Sequence, residues 1–327
     1  MTIDTRLDAI KIWLSQYYTN DRFSIVPASS DASFRRYFRV TSHGESLIVM
    51  DAPVQYEDTK PFIKVAQFLS QHQLHVPQIL AQEPEQGFLL LTDLGSRPYL
   101  DRLNNQSADT LYADAIKALI DIQLCDQQSI NLPVYNRALL QQELQLFPEW
   151  FLERHLSISA PKSLQNQFEL LIDNALEQPQ VVVHRDYHSR NLMYSDTNNP
   201  GIIDFQDAVI GPISYDLVSL LRDCYIAWPD NKIQYWVEQY FTLAQQRGLL
   251  TNCKPEQFIR WFDLMGLQRH IKVLGIFCRL RYRDNKTNYI ADLPQTLAYV
   301  QQVCAKYDEF KDLSTFLSSQ PKIMAIL

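Results

Sequence analysis

Several common features are scarce or absent in this chain. Glycine occurs only 8 times in 327 residues, so a backbone segment that approaches a ligand closely must be built mostly from other small residues. Lys and Arg number 30 against 37 Asp and Glu, and a net charge of -7 argues against a general nucleic-acid binder, whose affinity depends on neutralising phosphates. No apolar run approaches the ~20 residues of a membrane-spanning helix, so we expect no membrane partner.

The cysteines are also few and lie far apart. They are odd in number and include no C-x-x-C pair, so neither a disulfide framework nor a zinc site is predicted. The five are Cys125, Cys224, Cys253, Cys278 and Cys304. The start of the chain lacks the continuous apolar core of a signal peptide, and its apolar residues from Leu7 to Tyr17 recur at helical spacing instead. We therefore expect a cytoplasmic protein with reduced thiols.

A change of pattern near residues 93–98 predicts two lobes. Before it, strands are predicted at Phe34–Val40, Ser46–Met50 and Gly87–Thr92, with a helix at Lys60–Gln71 between the last two. The predicted order in this lobe is therefore strand, strand, helix, strand. The predicted fold class is α+β, with a small mixed lobe over residues 1–94 and a larger helical lobe over residues 95–327.

Apolar residues at helical spacing predict the helices of the second lobe. Pro148 is expected to kink or end one of them. The predicted helices cover residues 111–122, 138–155, 164–176, 215–226, 233–247, 255–277 and 294–307. Short strands at residues 181–183, 192–194 and 202–204 interrupt this run, and the polar turn S-D-T-N-N-P-G predicts that the last two form a hairpin.

The segment from Val181 to Asp207 carries the strongest chemical signal. It reads V-V-V-H-R-D-Y-H-S-R-N-L-M-Y and, after the polar turn, G-I-I-D-F-Q-D. It places Asp186 five residues before Asn191, and Asp204 after a short apolar strand. Phosphoryl transfer from ATP needs a carboxylate that takes a hydroxyl proton, and a carboxylate plus an amide oxygen that hold Mg²⁺. The segment predicts these roles for Asp186, and for Asn191 with Asp204, respectively.

Both motifs resemble the catalytic and metal loops of the aminoglycoside phosphotransferase and choline kinase family. This resemblance rests on H-R-D-Y-H-S-R-N and on D-F-Q-D-A-V-I-G-P-I-S-Y-D-L, in the family's order and spacing. It implies a bilobal protein-kinase-like fold and a small-molecule acceptor, because His188 stands where many protein kinases have Lys. His188 is accordingly predicted to bind substrate, and the resemblance implies that Asp216 braces the catalytic-loop backbone.

Two further residues of the motifs each allow two roles. His184 is expected to pack and to hydrogen-bond so that it holds the loop, rather than to transfer a proton. Asp207 is either a second metal or substrate ligand or a turn-former, and both interpretations stay open.

The predicted nucleotide site departs from the family pattern. Its candidate loop has no glycine, although small residues still present N–H donors and serine adds hydroxyls. The loop consists of Ser29, Ser30, Asp31, Ala32 and Ser33. A capped turn between two elements is the alternative interpretation. The resemblance also implies that the linker Thr92, Asp93 and Leu94 binds adenine through backbone groups.

The family's strand lysine, which pairs with the nucleotide phosphates, is also missing. Met50 or Asp51 takes its place, and the candidates to supply the charge are Arg35, Arg36, Lys60 and Lys64. An inactive, degenerate kinase is the competing interpretation, which the intact proton acceptor and metal ligands argue against.

The sequence also limits the acceptor. A polycationic aminoglycoside would need several acidic residues, and the C-terminal half has no dense acidic cluster. Residues 215–229 and 263–272 instead mix aromatic side chains with Arg, His and Asp, which suits a polar sugar. Arg222 or Arg269 is predicted to clamp a carboxylate on it. The alternative is that both segments are amphipathic helices with solvated charges.

The resemblance extends over most of the chain to one group within the family. Blocks from about residue 29 to about residue 294, including F-P-E-W and L-M-G-L-Q-R-H-I-K, look like the bacterial anomeric kinases for N-acetylmuramate and N-acetylglucosamine. This implies phosphorylation of the C1 hydroxyl by ATP, in peptidoglycan recycling. An aminoglycoside kinase and a non-catalytic nucleotide-binding protein are the alternatives. The expected partners are an amino sugar and ATP, with no nucleic acid, and we expect a monomer.

Overall fold

The computed structural model describes residues 4–18, 23–30 and 34–327. The chain divides into two compact units, of which the first combines Met1–Pro98 with Met193–Asp207 and the second combines Tyr99–Leu192 with Ala208–Leu327. The first unit holds the larger sheet and the second is mainly helical. The predicted α+β class with a small strand-bearing lobe and a larger helical lobe is therefore confirmed. The boundary between residues 94 and 95 stays a prediction, and the first unit contains the additional later segment.

The first unit is built on a five-stranded antiparallel sheet in the order β1-β2-β3-β5-β4. Its strands are β1 Ser24–Ser30, β2 Arg36–Ser42, β3 Glu45–Asp51, β4 Ile79–Glu83 and β5 Phe88–Thr92. The predicted strand, strand, helix and strand are observed in that order as β2, β3, the helix Lys60–Gln71 and β5, but the prediction was incomplete because β1 and β4 were not predicted. Both are edge strands with a register shift, and β1 contains Pro27. Edge strands tolerate proline and irregular pairing, which weakens their sequence pattern.

Two helices belong to the first unit. Helix α1, Thr5–Leu14, begins after Asp4, whose side chain accepts a hydrogen bond from the N–H of Leu7. Its buried face packs on one face of the sheet, and this cluster contains Ile10, Trp13, Leu14, Phe38, Val40, Val49, Phe88 and Leu90. Helix α2, Lys60–Gln71, has the predicted bounds and buries Phe62, Val65, Ala66, Phe68 and Leu69.

The segment 193–207 packs onto the first unit through backbone and side-chain contacts. The N–H of Ile202 donates to the carbonyl of His75 at 2.8 Å, and the N–H of Tyr194 donates to the carbonyl of Arg97 at 2.7 Å. The ring centroids of Phe62 and Phe205 lie 5.0 Å apart. The predicted hairpin is confirmed, since β7 Leu192–Met193 pairs with β8 Gly201–Ile202.

The second unit contains ten α-helices within the described part of the chain, and a two-stranded sheet of β6 with β9. The strands are β6 Gln180–Val183 and β9 Val209–Pro212, and β9 was not predicted. The helices are α3 Tyr99–Arg102, α4 Ala108–Gln123, α5 Arg137–Leu144, α6 Leu164–Leu176, α7 Tyr215–Leu221, α8 Asp230–Gln246, α9 Pro255–Asp284, α10 Leu293–Lys306, α11 Lys311–Ser319 and α12 Pro321–Met324.

Three predicted helices differ from those observed. The helix predicted over residues 138–155 is two elements, because α5 ends at Leu144 and a π-helix covers Phe147–Leu156, with Pro148 in its first turn. Helix α7 ends at Leu221, earlier than predicted, and α9 continues to Asp284. Gly275 of α9 lies against the junction before the π-helix, where an added Cβ would come within 2.4 Å of the Leu146 carbonyl.

Candidate active site

The predicted catalytic loop, His184–Asn191, follows the buried strand β6 in the second unit. Arg185 has a left-handed φ of 76°, a conformation that costs free energy for a residue with a side chain and is found mainly at functional sites. The carboxylate of Asp216, at the start of α7, accepts hydrogen bonds from the N–H groups of His184 at 2.6 Å and Arg185 at 3.0 Å. These bonds hold the unusual backbone, as a bracing residue would.

A second carboxylate, which was not predicted from the sequence, holds the other end of the same loop. Asp223 is 1% exposed and accepts from the Ser189 N–H at 3.0 Å and from the Ser189 hydroxyl at 2.5 Å. The Tyr225 N–H donates to its other oxygen at 3.0 Å. The backbone on both sides of Asp186 is therefore fixed by buried carboxylates from α7 and the residues that follow it.

The carboxyl group of Asp186 is stabilised in its charged form. Burial alone would raise its pKa, but the electrostatic effect of His188, Lys272 and Arg269 lowers the pKa below the ordinary value of 3.8. The carboxylate is therefore ionised at neutral pH, which a proton acceptor requires.

The two histidines of the loop lie in different surroundings. His184 is buried against Tyr187, and its Nδ1 accepts from the Asp186 N–H at 3.2 Å, a contact suited to holding the loop. His188 is 9% exposed, and in the described part of the chain its buried Nδ1 has no hydrogen-bond partner. Burial lowers the pKa of His188 although Asp223 and Asp186 oppose this effect, so the ring is neutral near pH 7. A buried, unsatisfied ring nitrogen is a candidate contact for a substrate hydroxyl.

The candidate metal ligands are oxygen donors in different units. Asn191 donates through Nδ2 to the Asp186 carbonyl at 3.0 Å, so its Oδ1 is the end of the amide that would ligate a metal. Asp204, in the first unit, has a left-handed φ of 65° and accepts from Gln206 Nε2 at 2.8 Å. Amide and carboxylate oxygens fit Mg²⁺, which otherwise keeps water and phosphate ligands. Among the described residues, no group of three or more His, Cys, Asp or Glu forms a metal cluster.

Asp186 is surrounded by buried charged groups that were not predicted from the sequence. Glu143, in the last turn of α5, pairs with Arg185 at 2.5 Å and with Lys272 at 2.9 Å. The Lys272 ammonium also donates to the Tyr215 hydroxyl at 3.0 Å, and Tyr135 donates to Glu143. These residues come from distant segments, and of the charged ones only Arg185 and Lys272 lie in segments, 181–207 and 263–272, that the sequence pointed to. The result is a cationic environment around Asp186.

The two arginines predicted to clamp a substrate carboxylate are placed differently. Arg269 is buried, contacts the Cys224 sulfur at 3.8 Å, and is close enough to Asp186 to lower the pKa of that carboxyl. Arg222 pairs with buried Asp263 at 2.7 Å and lies over the Phe262 ring. A substrate carboxylate would have to compete with Asp263 for the Arg222 guanidinium, so Arg222 is not proposed to bind the sugar.

The predicted nucleotide-binding residues lie in the first unit. Ser29 and Ser30 are the last residues of β1, and Asp31, Ala32 and Ser33 lie outside the described residues. Ser30 at the end of β1 pairs with Arg36 at the start of β2. In the predicted linker, Thr92 ends β5 and its N–H donates to the Gln78 carbonyl, and Asp93 pairs with Arg39 at 2.5 Å. Leu94 follows directly. Asp207 is exposed, and both of its predicted roles stay predictions.

Comparison with solved structures supports the fold. An ethanolamine kinase from Plasmodium vivax superposes with a TM-score of 0.66 at 12% identity, covering 95% of this chain and 92% of that chain. The ADP-bound aminoglycoside phosphotransferase APH(2'')-Ib superposes with a TM-score of 0.59 at 15% identity, covering 92% and 99%. The protein-kinase-like fold is therefore confirmed. No helix among the described residues is both long and apolar enough to cross a membrane.

Comparison of sequences identifies the family. A protein from Pseudomonas putida is 44% identical over 96% of each chain, and one from Pseudomonas aeruginosa is 46% identical over 91% of this chain and 89% of its own. A third, from Neisseria meningitidis, is 40% identical over 94% of each. All three are named N-acetylmuramate/N-acetylglucosamine kinase. The profile of the phosphotransferase enzyme family matches residues 24–249, and with these relatives it establishes that the chain belongs to that family.

Proposed function

We propose that the protein transfers the γ-phosphoryl group of ATP to the anomeric hydroxyl of N-acetylmuramate or N-acetylglucosamine, giving the sugar 1-phosphate. The observation that carries the proposal is a partly buried, ionised Asp186 on a braced loop, in a chain 40–46% identical to relatives named for these sugars. The biological role that fits this reaction is peptidoglycan recycling in the cytoplasm.

Asp186 is the proposed proton acceptor. As the C1 oxygen forms its bond to the γ-phosphorus, the O–H proton moves to the carboxylate, and the bond from the γ-phosphorus to the bridging oxygen breaks to release ADP. The anomeric hydroxyl is more acidic than an ordinary alcohol, so it needs less help from a base. Asn191 and Asp204 are the proposed Mg²⁺ ligands, and the ion when bound would neutralise phosphate charge.

The charges around Asp186 support an acceptor that is neutral or anionic. Arg269 and Lys272 are buried near the acid, and His188 offers an unsatisfied ring nitrogen within the described part of the chain. A polycationic aminoglycoside would meet like charges here, which is unfavourable when they are desolvated. Arg269 is the proposed contact for the carboxylate of N-acetylmuramate, and His188 for a sugar hydroxyl.

Phosphorus NMR tests this proposal directly. The protein is incubated with ATP, Mg²⁺ and each N-acetyl sugar, and a sugar 1-phosphate resonance should appear together with ADP. Glucose and kanamycin serve as alternative acceptors in parallel reactions. Transfer to kanamycin alone would identify an aminoglycoside kinase, and nucleotide binding without transfer to any acceptor would indicate a non-catalytic protein.

A further inference from the structure

The two faces of the first unit's sheet carry different charged groups. The side chains of Phe38, Val40 and Val49 point toward α1, in the cluster described above. Asp51, two residues after Val49, is on that same face because side chains alternate along a strand. Met50 is therefore on the opposite face, across from Tyr37 of β2. Neither Met50 nor Asp51 is a cation, so a positive charge on the face opposite α1 has to come from another residue.

Arg36 is held on the α1 face of the sheet. Its Nη2 pairs with Asp51 at 2.5 Å, its Nη1 pairs with Asp4 at 2.6 Å, and Asp51 also binds Arg6. Asp51 is fully buried, so removing either arginine would leave a buried carboxylate with less compensation. This group joins α1 to the sheet. Arg36 is therefore a structural residue and does not replace the missing lysine.

The two lysine candidates are no better placed to bind the phosphates of a nucleotide. Lys60 and Lys64 lie on α2 and are both exposed, and the buried face of that helix is formed by its apolar residues. Lys60 is the first residue of α2, and an exposed ammonium there is strongly hydrated and weakly placed to bind a phosphate chain.

Arg35 is the remaining candidate, and it lies on the face opposite α1. It precedes β2 by one residue, so alternation places it on the face of Tyr37 and Met50. Its side chain is 11% exposed, its Nη2 lies 3.9 Å from Oδ1 of Asp204, and its Nε lies 3.9 Å from Oε2 of Glu57. Glu57 also accepts the N–H of Phe34 at 3.1 Å. A half-buried guanidinium thus lies beside the predicted metal ligand, and Glu57 fixes the segment that carries it.

We propose that Arg35 binds the phosphates of the nucleotide in place of the missing strand lysine, with Glu57 as the residue that positions it. This inference rests on the proposed function, because it assumes a nucleoside triphosphate as donor. The guanidinium has five N–H donors in a planar fork and remains charged at all relevant pH values, so it can bind phosphate oxygens while it stays beside the two carboxylates. In kinases generally, the equivalent lysine pairs with a glutamate and lies near the metal-binding aspartate.

Equilibrium nucleotide binding tests the proposal without depending on turnover. Dissociation constants for ADP and for adenosine are measured by calorimetry with Mg²⁺ present, for the wild type, Arg35→Ala, Arg35→Lys and Glu57→Gln. We expect Arg35→Ala to weaken ADP binding about 10- to 100-fold, the range for losing charge-assisted hydrogen bonds, and to leave adenosine binding within about 2-fold. Arg35→Lys should restore part of the loss, and Glu57→Gln should cause a smaller loss of ADP affinity.

Lys60→Ala is the matched control, since it removes an exposed cation from the same unit and should leave both affinities unchanged. ADP affinity that is the same in Arg35→Ala and the wild type would overturn the inference and leave the proposed function intact. A wild-type protein that neither binds ADP nor transfers phosphate would instead refute the proposed function. If Arg35→Ala does not fold, Arg35→Lys and Glu57→Gln test the proposal instead. An ADP affinity equal to that of the wild type in both variants would overturn the proposal.

Discussion

At the scale of single residues, the sequence predicts which motif residues carry the chemistry but does not predict their surroundings. Asp186, Asn191 and Asp204 were singled out because their spacing is short and fixed by a loop and a hairpin. Asp223 and Glu143 were missed, because a buried carboxylate on a helix has the same sequence signature as a solvated one. Only three-dimensional packing distinguishes the two cases.

Replacing the proton acceptor should abolish most of the activity. Asp186→Asn keeps the size of the side chain but removes its basicity, and we expect kcat to fall at least ~100-fold with the fold preserved. The rate of ADP release with N-acetylglucosamine as acceptor measures this, and circular dichroism checks folding. Asp207→Asn is measured in the same assay, because it distinguishes the two predicted roles of Asp207 as a ligand or as a turn-former. A kcat near the wild-type value indicates a turn-former. An Asp186→Asn enzyme with wild-type kcat would exclude the base role.

At the scale of secondary-structure elements, the active loop depends on helices that are distant in sequence. Asp216 and Asp223, at the two ends of the α7 region, bind the backbone on either side of Asp186. Glu143 connects α5, the loop and α9 through Arg185 and Lys272. The long helices were predicted because their apolar periodicity is strong, whereas the edge strands β1 and β4 were not, because edge strands need no continuous apolar face.

Weakening the brace at Ser189 should reduce catalysis more than binding. Asp223→Asn replaces an acceptor with an amide that can satisfy only part of the Ser189 contacts, so the loop loses its fixed position. We expect kcat to fall about 10-fold with a smaller change in KM, measured under saturating ATP. Ser189→Ala removes only the hydroxyl contact and should have an intermediate effect. An unchanged kcat in Asp223→Asn would show that the brace is not needed for turnover.

Replacing Glu143, which pairs with both Arg185 and Lys272, should destabilise the protein in a pH-dependent way. Burial opposes the ionisation of Glu143, but Lys272 and Arg185 hold its pKa below the ordinary 4.5, so its stabilising effect is present above that pH and is lost as the pH falls through the folded-state pKa. Glu143→Gln leaves two buried cations with less compensation, and the expected cost near pH 7 is about 3–5 kcal/mol.

Urea unfolding at several pH values measures this cost, and the difference between wild type and Glu143→Gln should narrow on acidification. Glu169→Gln is the control, because Glu169 forms an ion pair with Arg137 in which both side chains are about half exposed. Exposed pairs contribute about 0–1 kcal/mol. Equal losses in the two variants would contradict the assigned role of the buried cluster.

At the scale of the whole molecule, the thiols report on how the chain is packed. Cys125, Cys224, Cys278 and Cys304 are buried, and Cys253 is partly exposed. Burial raises the pKa of Cys125, Cys278 and Cys304 to about 12, which suppresses the reactive thiolate. The expectation of reduced thiols that serve mainly in packing agrees with this arrangement.

Titration with a thiol reagent should therefore show one rapidly reacting cysteine in the native protein and five reactive cysteines after denaturation. A coloured disulfide reagent at pH 8 gives both counts, and Cys253→Ser should remove the fast reaction without altering the slow one. Rapid reaction of two or more thiols in the native protein would show that the buried cysteines are exposed by opening of the fold.

The first unit is discontinuous in the chain, which has a consequence for how the protein is made. Residues 193–207 contribute Phe205 and the hairpin strand β8 to a unit whose other residues end at Pro98. A ribosome synthesises proteins from the N-terminus, so the first unit stays incomplete while the next 94 residues, 99–192, are added. Asp204 therefore joins its unit late in synthesis, and a chain released before residue 204 would lack both this proposed metal ligand and the packing of Phe205 against Phe62.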